Sequence, residues 1–283
     1  MDFAINYSHQ AAALLQQGRI QVDRFKCPDW PEMVTEALHF APVAIHFNLK
    51  AGAGLIQEAD WFQIEALLEQ TGTPFVNVHL HPTTEDYPDI PVDTTNPFHI
   101  ERIVTNLVTD IEYVVKLFGA ERVIAENVPY AGQPGKILRP VVEPAVIQQI
   151  ILETGCNFLL DISHARIAAH FLGMDEKEYM SQLPVKRIRE LHFTGLHWRR
   201  GHPVDHHLEV LEADWIILEW ALSCIRAGYW SNPWLLAYEY GGVGDKFAWR
   251  CNDSVIASQA PQLYRLSHDL DDPFNAPATY STP

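Results

Sequence analysis

Short runs of β-branched and aromatic residues alternate along this chain with longer stretches whose apolar positions recur every three or four residues. That is the pattern of strand–helix units around a parallel sheet. Eight runs read as strands: Phe3 to Tyr7, Ile20 to Phe25, Val43 to Phe47, Phe75 to Leu80, Arg122 to Glu126, Asn157 to Asp161, Ile188 to Phe193 and Leu235 to Tyr240. Helical patterns fall between them at Ala59 to Gln70, stopped by Thr-Gly, and at Pro97 to Phe118, Glu143 to Glu153, Glu176 to Gln182 and Asp214 to Arg226. Eight such repeats predict an α/β fold, a closed (β/α)8 TIM barrel. The stretch Pro82 to Asn96, with three prolines and four acids, is too irregular for an element and reads as a loop over the barrel mouth. Residues 1–266 are expected to form one domain, and the acidic, Pro-rich stretch 267–283 reads as a terminal tail.

Composition narrows the setting. With 283 residues, 47% of them hydrophobic, the chain can bury one large core. It has no charged start followed by an apolar run, and no window approaches the roughly 18 to 20 apolar residues of a membrane span, so a cytoplasmic protein with no membrane contact is expected. Cys27, Cys156, Cys224 and Cys251 are scattered and form no C-x-x-C, which reads as reduced thiols rather than ligands. Against 36 Asp and Glu there are 20 Lys and Arg, a formal charge of −16 that repels a polyanion, so duplex DNA is not an expected partner.

The chemistry lies at the strand ends, where barrels of this type build their sites. The third run ends in His46, the fourth in Asn-Val-His79-Leu-His81, the fifth in Glu126-Asn127, the sixth in Asp161 with His164 three residues on, the seventh in His192 and the eighth in Glu239. Asp205 and His207 stand two apart in what reads as a loop, so both side chains can point the same way. Apolar strands have little reason to end in buried Glu, Asp or His unless these are paired or coordinated, because an unpaired buried charge costs several kcal/mol or more. Imidazoles with carboxylates suit a hard-to-borderline divalent metal, and more than one ion.

With those residues in view, the pattern resembles the xylose-isomerase-like barrels that hold three metals, best known from endonuclease IV. The resemblance implies one ion held by His46, His79 and Glu126, a second by Glu126 as a bridge with Asp161, His192 and Glu239, and a third by His164, Asp205 and His207. His79 matches that family's strand end better than His81. In wording, ENVPY, ETGCNFLLD and GMDEKEYMSQLPVKRIRELHFTG are closer to the multinuclear non-haem iron-dependent oxidases, which share this barrel. That likeness implies two or three irons and oxygen-dependent remodelling of cysteine in a peptide, usually beside a partner protein that presents the peptide. One departure stands out: those proteins commonly carry Asn-Asn after the LLD strand, where this chain has Ser163-His164.

Three functions follow. The first is an iron oxidase acting on a small molecule or peptide. The second is zinc- or manganese-dependent hydrolysis or sugar isomerisation, with Arg199 or Arg200 clamping an anionic group. The third is metal binding without catalysis. Asn127 is expected to orient Glu126 or contact substrate, His206 to donate a proton beside Glu126 as the central carboxylate, and Lys50 to sit at the surface. His9, His81, His197 and His202 carry no assignment.

Overall fold

The computed structural model describes residues 1–133 and 135–269. Its strands are β1 (Asp2–Asn6), β2 (Arg24–Pro28), β3 (Val43–His46), β4 (Lys50–Ala51), β5 (Val76–Leu80), β6 (Val123–Glu126), β7 (Asn157–Asp161), β8 (Ile188–Phe193), β9 (Gly195–Arg199), β10 (His202–Leu208) and β11 (Leu235–Tyr238). Nine of them form one sheet in the order β3-β2-β1-β11-β8-β7-β6-β5-β4, every pair parallel. Because β3 and β4 are successive pieces of the segment 43–51, β3 joining β2 and β4 joining β5, the sheet closes on itself as a TIM barrel.

The closure between β3 and β5 is made partly by side chains. The amides of Ile45 and Phe47 donate to Thr73 Oγ1 at 3.0 Å and Asn77 Oδ1 at 2.7 Å, and Asn77 Nδ2 donates back to the Phe47 carbonyl at 3.0 Å. Only further along does the backbone ladder resume, with the amides of His79 and His81 donating to the carbonyls of Leu49 and Ala51. Outward-facing strand residues such as Phe3, Ile5, Phe25, Val76 and Val78 join the main core against the helices. The alternate residues Ala4, Ala44, Leu235 and Ala237 form a separate cluster with Trp234, as the two-residue period of a strand requires.

The helices are α1 (His9–Gln16), α2 (Pro31–Ala37), α3 (Trp61–Thr71), α4 (Pro97–Phe118), α5 (Pro144–Thr154), α6 (Ile162–Leu172), α7 (Glu176–Ser181), α8 (Glu212–Arg226) and α9 (Asp253–His268). Asn96 caps α4 at the Phe98 amide with Pro97 in the first turn, so this helix begins where the sequence places it. Four helices escape the hydrophobic reading: α1, α2, α6 and α9. The second strand also lies later than Ile20 to Phe25. Ile20 is buried from the preceding loop, whereas β2 pairs with β1 from Arg24 on and turns Arg24 and Lys26 to one face, which the apolar pattern hides.

The stretch after β5 is irregular as expected, but it packs down firmly: Tyr87 is buried, and its hydroxyl donates to the Gly52 carbonyl at 2.5 Å. Asp205 and His207 lie on a strand, not in a loop, since β9 and β10 form an antiparallel hairpin with a bulge between Val204 and Leu208. Helix α9 continues through Ser267 and His268, and the rest of the tail, 270–283, lies outside the described residues. Among the described residues, no helix is long and apolar enough to cross a membrane.

Candidate metal centre

Strand register brings the ligands to one rim. His79 stands beside Glu126 on the neighbouring strand, and Asp161 beside His192. Glu239 follows the last residue of β11, and its amide still donates to the Phe193 carbonyl, which holds it at the same level. His164 arrives from the first turn of α6, where Asp161 accepts the His164 amide at 2.7 Å; one carboxylate therefore caps the helix and faces the centre. Asp205 and His207 reach in from β10, His207 with a positive φ of 51° at the bulge.

Among the described residues, four overlapping groups of three have ligand atoms close enough to share an ion: His46, Glu126 and His192; Glu126, Asp161 and His164; Asp161, His192 and Glu239; and His164, Asp205 and His207. Glu126 sits where they meet. Its Oε2 lies 3.1 Å from His79 Nε2 and 3.6 Å from His46 Nε2, while Oε1 lies 3.6 Å from His192 Nδ1 and 3.8 Å from His164 Nδ1. One carboxylate thus faces two ligand sets through different oxygens, the geometry of a bridge.

The outer nitrogens are already committed. His79 Nδ1 faces the Leu49 carbonyl at 2.9 Å, His164 Nδ1 the Asn127 carbonyl at 2.9 Å, His192 Nε2 the Glu190 carboxylate at 2.8 Å and His207 Nδ1 the Glu239 carbonyl at 3.2 Å. A ring whose outer N–H is donated in this way turns its lone pair inward. That assigns His79 Nε2, His164 Nε2, His192 Nδ1 and His207 Nε2 to the centre, and it places His164 with Asp205, 3.2 Å away, and His207, 3.3 Å from Asp205.

The residues fit divalent cations on chemistry as well as spacing. Glu126 Oε2, Asp161 Oδ2 and Asp205 Oδ1 are buried with no hydrogen-bond partner, an arrangement that costs free energy until a cation satisfies it. Burial would raise the Glu126 pKa, but His79, His46 and His192 hold the carboxyl far below its usual range. Asp161 is pushed up to about 6 by burial and by the charges of Glu239 and Asp205, against the pull of His164. His164 and His192 are raised despite burial, the first by Asp161 and Asp205, the second by Glu239 and Glu126 against Lys26. Nitrogen and oxygen ligands without thiolates suit iron, manganese or zinc.

The other expected residues divide. Asn127 is buried and bonded through both ends of its amide to the backbone of Asp161, at 2.9 Å each, so it positions that ligand and has no free end for substrate. His206 turns away, its ring meeting Trp249 at 6.0 Å, and Arg199 and Arg200 are exposed at the hairpin turn, where Arg200 has φ 53°. His81 lines a separate depression with Lys50 and Asp86, which leaves His79 in the cluster. Three residues near the centre escape the sequence reading. Lys26, buried in the middle of β2, donates to Glu239 and lies 3.4 Å from His192 Nδ1. Glu190 orients His192, a contact that the two-residue strand period of Glu190-Leu191-His192 contains. Arg250 lies after β11 beside a cavity of about 220 Å3 that opens from the centre at Lys26, His46, His207 and Glu239.

Residues 28–230 match the family described as RiPP precursor modification enzyme MbnB/TglH/ChrH. A UPF0276 protein of Pseudomonas aeruginosa strain UCBPP-PA14 is 27% identical over 198 residues, 68% of this chain and 66% of the relative, so the chain spans just under two thirds of that protein's length. Among solved structures, a D-tagatose 3-epimerase-like protein superposes with a TM-score of 0.58 at 13% identity, over 94% of this chain and 97% of its own. A xylose isomerase domain-containing protein from Salmonella typhimurium LT2 gives 0.58 at 15%, over 94% and 97%. Likeness at such identities speaks for the barrel alone.

Proposed function

Because the chain belongs to the MbnB/TglH/ChrH family of RiPP precursor modification enzymes, we propose that this metal-dependent TIM-barrel enzyme is an iron oxidase that uses O2 to remodel a cysteine in a precursor peptide. The peptide is presented by a separate protein, in a cytoplasmic setting. The observation that carries the reading is the position of Glu126, one carboxylate facing two ligand sets beside an open cavity. Two or three irons there would supply oxygen activation and a ligand site for the substrate thiolate.

The chain's own side chains do the rest. His46, His79, Asp161, His192 and Glu239 complete the two sets around Glu126, and Glu190 and the Leu49 carbonyl fix the ring orientations. Lys26 places a positive charge against Glu239 at the cavity wall, where it can hold a proton next to reacting groups. His164, Asp205 and His207 offer a third position, the point at which this sequence departs from the Asn-Asn pattern.

The test is metal content after purification without oxygen or added metal, followed by O2 uptake with a cysteine-containing peptide. Two or more irons per chain and peptide-dependent uptake are expected. Zinc or manganese, with no uptake after iron is restored, would replace this reading with hydrolysis or sugar isomerisation.

A further inference from the structure

The cavity beside the centre has the ligands His46, His207 and Glu239 at its inner end, and its outer wall is mostly apolar but carries two cations. Trp30, Met33, Val243 and Phe247 line it, Lys26 is bound to Glu239, and the second cation is Arg250. Among the described residues, Arg250 Nε is buried with no hydrogen-bond partner. Its contacts are ring faces, with the guanidinium carbon 4.6 Å from the Phe247 centroid and 5.9 Å from that of Trp249. The nearby carboxylates, Glu239 and Asp205, act on it only through space, and both are already engaged by histidines of the centre.

This cation is held in place by its loop. Cys251 Sγ donates to the carbonyls of Gly242 and Phe247, tying the segment back on itself. Gly242 has φ 151°, and a Cβ there would come within 2.7 Å of the Phe247 ring, so only glycine lets Phe247 seat under Arg250. A guanidinium held over aromatic rings makes no hydrogen bond to them, so its N–H groups stay available as a two-pronged donor matched to a carboxylate.

We propose that Arg250 is a specificity-determining residue that receives a carboxylate of the substrate in this cavity, so that the peptide enters the centre with its thiol near Glu239 and a carboxylate on the guanidinium. This deepens the peptide reading above and rests on it. The carboxylate comes either from the peptide's C-terminus or from an acidic side chain beside the cysteine. With Lys26 already bound to Glu239, the one remaining guanidinium suits one negative charge, and the −16 chain around it disfavours a polyanion.

Calorimetry on metal-loaded protein tests it with four probes: N-acetyl-L-cysteine, N-acetyl-L-cysteinamide, and C-terminally amidated Asp-Cys and Asn-Cys dipeptides. The wild type is expected to bind at least one acid roughly tenfold or more tighter than its neutral counterpart, the scale of a lost charged hydrogen-bond pair. Preference for N-acetylcysteine alone assigns the C-terminus, and preference for the Asp dipeptide assigns a side chain. Arg250→Met should abolish the preference while leaving the affinity for neutral probes within about twofold. Arg250→Lys, which keeps charge and stem, serves if Met impairs folding, and should lose most of the preference because the fork is gone. Equal binding of acid and neutral probes by the wild type, or equal weakening of both by Arg250→Met, overturns the assignment. Binding needs no turnover: selective binding without oxygen uptake would sustain the carboxylate site while removing the oxidase.

Discussion

The rim of this barrel is made of two unlike arcs. From β3 round to β11, the strand ends carry His46, His79, Glu126, Asp161, His192 and Glu239, each turned to one centre. The remaining arc, β1 and β2, ends in Asn6 and Pro28 and turns Lys26 to the cavity that lies over it, with no carboxylate or imidazole at either strand end. Ligands crowd one side of the mouth so that ions can be held, and the other side stays free of them so that something else can enter. A rim of ligands all the way round would bind metal and admit no substrate.

The sharpest break is in the ligand arc. Glu126→Gln removes one negative charge from both sets that Glu126 faces, so at most one tightly held ion should remain. Asp205→Asn affects only the group with His164 and His207 and should leave a two-ion core. Metals per chain, and melting with and without chelator, measure both, because an ion that binds only the folded state stabilises it. Full metal in Glu126→Gln with an emptied Asp205→Asn would end the bridging assignment.

Next comes the ion pair between Lys26 on one arc and Glu239 on the other. Lys26→Met removes the cation bonded to buried Glu239 and leaves that carboxylate to His192 and His207, which should cost up to about 3–5 kcal/mol in chelated protein. Bound metal supplies the missing cation, so the loss should shrink once the centre is filled. Denaturant titrations of both forms decide it, and equal losses would show that Lys26 acts on packing alone.

Glu190→Gln keeps the size of the group that orients His192 but removes its charge, and metal affinity should fall by about 10- to 100-fold. Competition with a coloured chelator reads this directly. An unchanged affinity would mean that the ring is held by packing.

The mildest effect is that of pH. His164, His192 and His207 are raised from 6.5 by their carboxylates, so in the metal-free fold their protonated forms add stability that is present below 6.5 and lost as pH rises through the raised values. Ions must displace those protons, so apparent metal affinity should climb with pH, by up to about tenfold per unit for each proton released. Isothermal titration in buffers of different ionisation heat counts the protons, and a count of zero contradicts the raised values.

The two arcs also differ in how far the chain announces them. The ligand arc is legible because strands such as β6 and β7 are apolar up to an abrupt Glu or Asp, and β6, β7 and β8 lie where the pattern puts them. In the other arc β1 is legible but β2 is not, because Arg24 and Lys26 share one of its faces and the apolar pattern sets the strand too early, at Ile20 to Phe25. Four of the seven residues of β10 are His or Asp, which blurs the alternation that marks a strand, yet the spacing of Asp205 and His207 still brings the pair together. Arg250 lies in a short 3-10 turn after three glycines, where nothing local tells a cavity residue from a solvated one. Its role appears only once the chain has folded.

Where β3 meets β5, Asn77 and Thr73 stand in for missing backbone rungs, and His46 and His79 flank that stretch with their Nε2 atoms 3.1 Å apart. An ion shared by the two rings would rivet a seam that is otherwise only tacked. Occupancy would then be felt as mechanical closure of the whole ring, with the amides of segment 43–51 going from the quickest-exchanging barrel rungs to among the slowest.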